Sequence, residues 1–170
     1  AMHGLGGNYQ SFDETSRAVG WHQLAESRGF IFMSPAPVNA TRQSFLSFRS
    51  DGSADLDAIK TQMNTLLECI YRDVGARYNV ETTRIDWIGF SEGASFVGVA
   101  ASLLSGKLHG VGLYAGSAQR LAANVTRRIP LYYAVGVADA GYDSITSQVQ
   151  LWSSHPVRLS SLNAGHSFGD

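Results

Sequence analysis

The longest periodic stretch of the chain covers residues 55–78, where Ile59, Met63, Leu66, Leu67, Ile70 and Val74 recur at intervals of three and four with polar residues between them. That spacing gathers the apolar side chains on one face of a helix. Ser53 or Asp55 can cap its start, because a side-chain oxygen accepts one of the unpaired first-turn amides. Val19, Trp21, Leu24 and Ala25 predict a further helix over residues 16–28, stopped by Gly29. Elsewhere the apolar residues come in short runs. Residues 30–34, closed by Pro35 and Pro37, suit a strand buried on both faces. Residues 85–88, 111–115 and 131–137 read as further strands, and residues 157–162 as a final alternating one. Residues 94–104 form a small-residue apolar pattern, which predicts a helix buried nearly all round, and residues 144–152 can form another. Residues 38–52 are polar and irregular around Phe45 and Phe48, which predicts a long surface loop; residues 117–128 read as a short helix or irregular link. Strand and helix alternate throughout. That predicts an α/β fold with a doubly wound, mostly parallel sheet.

Composition narrows the function classes. A length of 170 residues with 44% hydrophobic content predicts one domain, residues 1–170, with a real core. The net charge of −1 carries no electrostatic footprint for nucleic acid. No apolar run is long enough to span a bilayer. Cys69 is the only cysteine, so no intrachain disulfide can form; it falls inside the long helical pattern and reads as a buried, inert thiol. No signal peptide is visible before Ala1-Met2, and the sequence leaves the compartment undecided, cytoplasmic or secreted after leader removal. Oligomeric state is not legible either.

The chemistry concentrates in Gly89-Phe90-Ser91-Glu92-Gly93, a Gly-x-Ser-x-Gly turn between a predicted strand and a predicted helix. A serine on such a turn has its Oγ pushed out above the sheet edge. The next amide, that of Glu92, opens a helix, where a developing oxyanion is favoured. The bland alternative is a pair of turn glycines around a helix-capping serine. In a parallel sheet, functional groups gather beyond the carboxyl ends of the strands. Asp139 lies just past the strand at 131–137, and His166 just past that at 157–162, which puts both on the rim of Ser91. Serine needs a base to take its proton, imidazole can take and return one, and a carboxylate fixes the imidazole tautomer. Asp143 is a competing acid further from its strand end, and Asp139-Ala140-Gly141 could equally be a plain turn. His22 falls in a predicted helix, His109 and His155 fall on the opposite rim, and His3 belongs to a glycine-rich N-terminal loop; His166 remains as the base. The histidines and the cysteine show no metal-ligand spacing, and no dinucleotide fingerprint follows the first strand, so neither metal nor cofactor is expected.

Taken together, His3-Gly4, the Gly89–Gly93 turn, Asp139 and Gly165-His166 resemble the α/β-hydrolase superfamily over nearly the whole chain. Gly20 to Ile31, Ser34-Pro35 and Gly165-His166-Ser167-Phe168 are similar to the polyhydroxybutyrate-depolymerase and feruloyl-esterase-like group. His3-Gly4-Leu5-Gly6 is similar to the phospholipase/carboxylesterase and acyl-protein thioesterase group. The resemblance implies an α/β-hydrolase-type sheet with Ser91 as nucleophile, Asp139 as acid, His166 as base, and the amides of Leu5 and Glu92 as oxyanion donors. No long insertion follows residues 111–115, so a compact form without a lid domain is expected. The chain departs from the family in having only Ala1-Met2 before His3 and no helix after His166, which reads as a domain without its first strands and last helix. A charged residue at Glu92 is also less usual and predicts a bias against anionic substrates.

The reading is a serine esterase acting on small-molecule carboxylic esters. Tyr9, Phe12, Phe90, Tyr114 and Phe168 are candidates to line an apolar substrate pocket, with core packing as the competing role for each. A thioesterase or other acyl hydrolase of the same fold is one alternative. A non-catalytic binding protein of that fold is the other.

Overall fold

Four of the short apolar runs pair into one sheet. A computed structural model describes residues 1–37, 43–117 and 125–168. In it β1 (Asp86–Phe90), β2 (Gly110–Tyr114), β3 (Leu131–Gly136) and β4 (Val157–Leu162) lie side by side in chain order, all parallel. Parallel neighbours need a crossover. Helix α4 (Glu92–Leu103) supplies it between β1 and β2, and α5 (Tyr142–Gln148) runs between β3 and β4. The register aligns Trp87, Val111, Leu131 and Val157 across the sheet. All four strands therefore deliver their following loops to one rim.

Side-chain alternation along β1 gives the sheet two covered faces. Trp87 stacks on Phe96 of α4, with ring centroids 5.9 Å apart. Phe90 meets Phe168 at 5.9 Å, and Phe168 in turn meets Phe12 of α1 (Tyr9–Ala18) at 4.8 Å. The long periodic stretch forms α3 (Leu56–Cys69), which buries Ile59, Met63, Leu66 and Leu67 as its spacing predicts and packs on α4. Asp55 rather than Ser53 caps it, accepting from the Ala58 amide at 3.1 Å. A π-helical turn, Ile70–Val74, ends the helix at Gly75, short of the predicted Tyr78. Cys69 is partly rather than fully buried, and burial with the neighbouring Asp73 pushes its thiol pKa up.

Three expectations are corrected. The helix predicted over residues 16–28 is two helices, α1 and α2 (Trp21–Arg28), broken at Gly20, whose φ of 93° no continuous helix allows. The start of α1 is set by Asn8, whose side chain accepts from the Ser11 amide at 2.9 Å. Residues 30–34 form no strand, and Phe30 and Ile31 are 41% and 47% exposed. A strand needs a ladder of backbone pairs. Among the described residues this run shows one such bond to a segment distant in the chain, from the Ala1 amino group to the Met33 carbonyl at 2.5 Å, while Met2 makes an isolated parallel bridge to Gly89. Finally, the run at 38–52 is not wholly a surface loop. Residues 38–42 lie outside the described residues, but Phe45 is fully buried in the core, while Phe48 is exposed and bridges to Ala54. Most of the link at 117–128 also lies outside the described residues; residues 125–128 are not helical. No helix among the described residues is long and apolar enough to cross a membrane.

Candidate active site

Ser91 sits between β1 and α4 with φ 54° and ψ −119°. A non-glycine residue there is strained by roughly 1–3 kcal/mol, and it persists only where its surroundings over-determine it. Here the Ser91 amide donates to the Tyr114 carbonyl at 2.8 Å, and the Ser91 carbonyl accepts from the Ala94 and Ser95 amides at 3.0 and 3.2 Å. Backbone crowding explains the flanking glycine. A Cβ on Gly93 would lie 2.5 Å from the His3 carbonyl oxygen and 2.6 Å from that of Met2. Gly93→Ala is therefore expected to destabilise the fold by about 1–3 kcal/mol and to lower any activity dependent on Ser91. Chemical denaturation read beside turnover measures both.

Asp139 and His166 come to the Ser91 rim from the loops after β3 and β4. The Val137 amide donates to the Leu162 carbonyl and the Ala138 amide to the Ala164 carbonyl, at 2.9 and 3.0 Å, so the loops after β3 and β4 are laced together. His166 Nδ1 lies 2.7 Å from Asp139 Oδ2, and His166 Nε2 lies 2.9 Å from Ser91 Oγ. A carboxylate can only accept, so Nδ1 carries the proton and Nε2 is left to accept from the serine hydroxyl. The Asp139 side chain is 4% exposed and that of His166 49%. Burial alone pushes the Asp139 pKa up. The Gly141 amide, donating at 2.7 Å, and the His166 ring outweigh it and hold the carboxyl below its ordinary value. Asp143 stands apart, exposed in the first turn of α5. The remaining histidines are engaged elsewhere: His22 with Asp13 at 3.0 Å, His109 with Asp86 at 2.9 Å, and His155 buried beside Ile129.

The N-terminal loop closes over the same rim. The Met2 amide donates to the Ile88 carbonyl at 2.8 Å, and the Phe90 amide to the Met2 carbonyl at 3.1 Å. His3 and Gly4 thereby leave the sheet beside Ser91. A Cβ on Gly4 would lie 3.1 Å from the Ser91 Cβ, so this loop passes at contact distance. The Leu5 and Glu92 amides have no hydrogen-bond partner among the described residues, and the Leu5 side chain is 70% exposed. An open cleft of about 450 Å³ lies on one side of Ser91, bordered by Ser95, Ala115, Gly116, Ser144 and His166. A smaller one of about 210 Å³ runs along Gly4, Leu5, Phe12 and Phe90, and Ser91 does not line it.

The aromatic candidates separate into two groups. Phe90 packs on the His166 ring at 5.1 Å and on Phe168, and Phe168 meets Tyr114 at 5.3 Å and Phe12 at 4.8 Å, so these four form one cluster beside the histidine. Tyr9 is 44% exposed at the start of α1 and borders neither cleft. The Glu92 side chain does what no sequence signal announces. Its carboxylate accepts from the Leu46 amide at 2.6 Å, the Ser44 hydroxyl at 2.8 Å and the Phe45 amide at 3.3 Å, partners more than 40 residues away.

No protein-family model and no curated protein matches the chain. Solved structures do. The chain is similar to a carboxylesterase from Mesorhizobium loti (TM-score 0.72, 16% identity, 99% of this chain and 80% of that one). It is similar also to the Bacillus cereus carboxylesterase (TM-score 0.70, 17% identity, 98% and 79%) and to Arabidopsis thaliana SOBER1 (TM-score 0.66, 14% identity, 98% and 89%). The likeness establishes the α/β-hydrolase fold for this chain.

Proposed function

We propose that this chain is a serine hydrolase that cleaves carboxylic esters of small molecules through an acyl-enzyme on Ser91. The observation that carries the reading is the continuous hydrogen-bonded line from Ser91 Oγ to His166 Nε2 and from His166 Nδ1 to Asp139, at 2.9 and 2.7 Å, on a strained strand-to-helix turn. The esterase names of similar structures agree with it. His166 Nε2 takes the hydroxyl proton as Ser91 Oγ bonds to the ester carbonyl carbon. The resulting oxyanion accepts from the Glu92 and Leu5 amides, which have no competing partner among the described residues. Asp139 stabilises the imidazolium without taking its proton. Collapse breaks the carbon–oxygen bond, and His166 returns the proton to the departing alcohol. Water, deprotonated by His166, then attacks the acyl carbon and releases the acid and free Ser91.

The cleft of about 450 Å³ that Ser91, Asp139 and His166 border offers the space for the substrate. That volume falls toward the low end of the roughly 300–1,000 Å³ of pockets for drug-sized ligands. Short acyl chains are therefore the expected substrates. A p-nitrophenyl ester series from acetate to long chains tests this, and kcat/KM is expected to fall beyond a few carbons. A fluorophosphonate probe tests the nucleophile, because only an activated serine reacts. A folded protein that neither labels nor turns over any ester would be a binding protein of this fold, and the proposal would be wrong.

A further inference from the structure

We propose that the Glu92 carboxylate is a positioning residue that ties the two oxyanion-donor segments to each other; the inference rests on the reading of Ser91 as nucleophile. The Glu92 amide opens α4 next to Ser91, yet its side chain turns away to residues 44–46, where Ser44, Phe45 and Leu46 all donate to it. Backbone amides inside a protein need acceptors, and this carboxylate accepts from both Phe45 and Leu46, the latter donating also to Ser44 Oγ at 3.2 Å. The segment is held from behind as well. Gln62 Nε2 donates to the Phe45 carbonyl at 2.8 Å, and the buried Phe45 ring lies 5.4 Å from Phe96 of α4.

From there the path reaches the other donor. The Phe45 ring lies 4.9 Å from the ring of His3, and the Gln43 carbonyl accepts from the Gly6 amide at 3.3 Å. His3 and Gly6 bracket Leu5, whose amide is the second proposed donor. Backbone strain follows the same route. The non-glycine residues with positive φ among those described are Gln43 (46°), Ser91 (54°) and Ala115 (48°). All three lie at this site or on the loop that braces it, where a strained backbone must be held by its surroundings. An acid in the first turn of α4 could serve the helix dipole alone. That role needs no contact with residues 44–46, and a carboxylate facing solvent would meet it.

Glu92→Ala and Glu92→Gln separate the two roles. In the intact protein, amide hydrogen exchange is expected to quicken in Glu92→Ala at Phe45 and Leu46 and also at residues 5–7. With p-nitrophenyl acetate, kcat per phosphonate-titrated site is expected to fall by roughly 10- to 100-fold, because an ångström of misplacement costs about that much. KM stays within about twofold, and Glu92→Gln, which keeps one acceptor oxygen, falls between. Titrating the sites removes any loss from unfolded molecules. If Glu92→Ala does not fold, Ser44→Ala reports instead, by a smaller quickening in the same two segments. Unchanged exchange at residues 5–7, or an unchanged kcat per titrated site, overturns the proposal. A wild type that neither labels nor turns over is a different result, since it strikes the hydrolase reading before any variant is compared.

Discussion

Ser91→Ala is expected to lower ester turnover by on the order of 10⁵- to 10⁶-fold, the scale seen when a triad nucleophile is deleted. The loss is chemical rather than structural. Alanine keeps the Cβ that meets Gly4 and keeps every backbone bond of the turn, namely the amide to Tyr114 and the carbonyl to Ala94 and Ser95. Only the hydroxyl goes, with its one bond to His166. Stability is therefore expected to hold within about 1 kcal/mol. Equal thermal midpoints with turnover reduced to background is the combination to look for, and phosphonate labelling vanishes with it. Full activity in the alanine variant would remove the acyl-enzyme mechanism altogether.

Asp139→Asn is expected to cost about 10⁴-fold in kcat. An asparagine amide can donate to Nδ1, which turns the imidazole to the tautomer whose Nε2 bears the proton and cannot accept one from Ser91. The same substitution has a signature in acid. The Asp139 carboxyl, despite its burial, is held below its ordinary pKa by the Gly141 amide and His166. A group whose folded pKa is depressed contributes stability above its unfolded pKa, and loses that contribution as pH falls through the folded one. The stability gap between wild type and Asp139→Asn should thus be level from neutral pH down to the ordinary carboxylate range near 4, then close below it. Urea unfolding at a series of pH values reads this directly. A gap that stays level into strong acid would mean that the carboxylate is not held ionised by these partners.

These predictions differ in how early the chain itself discloses them. The turn around Ser91 is local: a strand, two glycines and a helix within a dozen residues, so its conformation is written where it occurs. Asp139 and His166 come from strand order, because a parallel sheet sends each following loop to one rim whatever the details of packing. Residues 30–34 mislead for the complementary reason. Their apolar content describes a buried strand, but pairing is supplied by a neighbour, and among the described residues this run is met by a single backbone bond from a segment distant in the chain, that of Ala1 to Met33. The break at Gly20 is lost because spacing reports which residues face inward, while a left-handed glycine reports where the chain turns.

The sequence by itself thus determined the alternating fold, the Gly-x-Ser-x-Gly turn and the common rim of Ser91, Asp139 and His166, since each depends on neighbours in the chain or on the order of its strands. Only the tertiary structure decided that Phe45 is core, that Phe12, Phe90, Tyr114 and Phe168 cluster while Tyr9 stands apart, and that Glu92 holds residues 44–46. Those contacts join segments tens of residues apart. Which long-range donor meets which acceptor depends on how helices and loops pack on the sheet, and no periodicity records it.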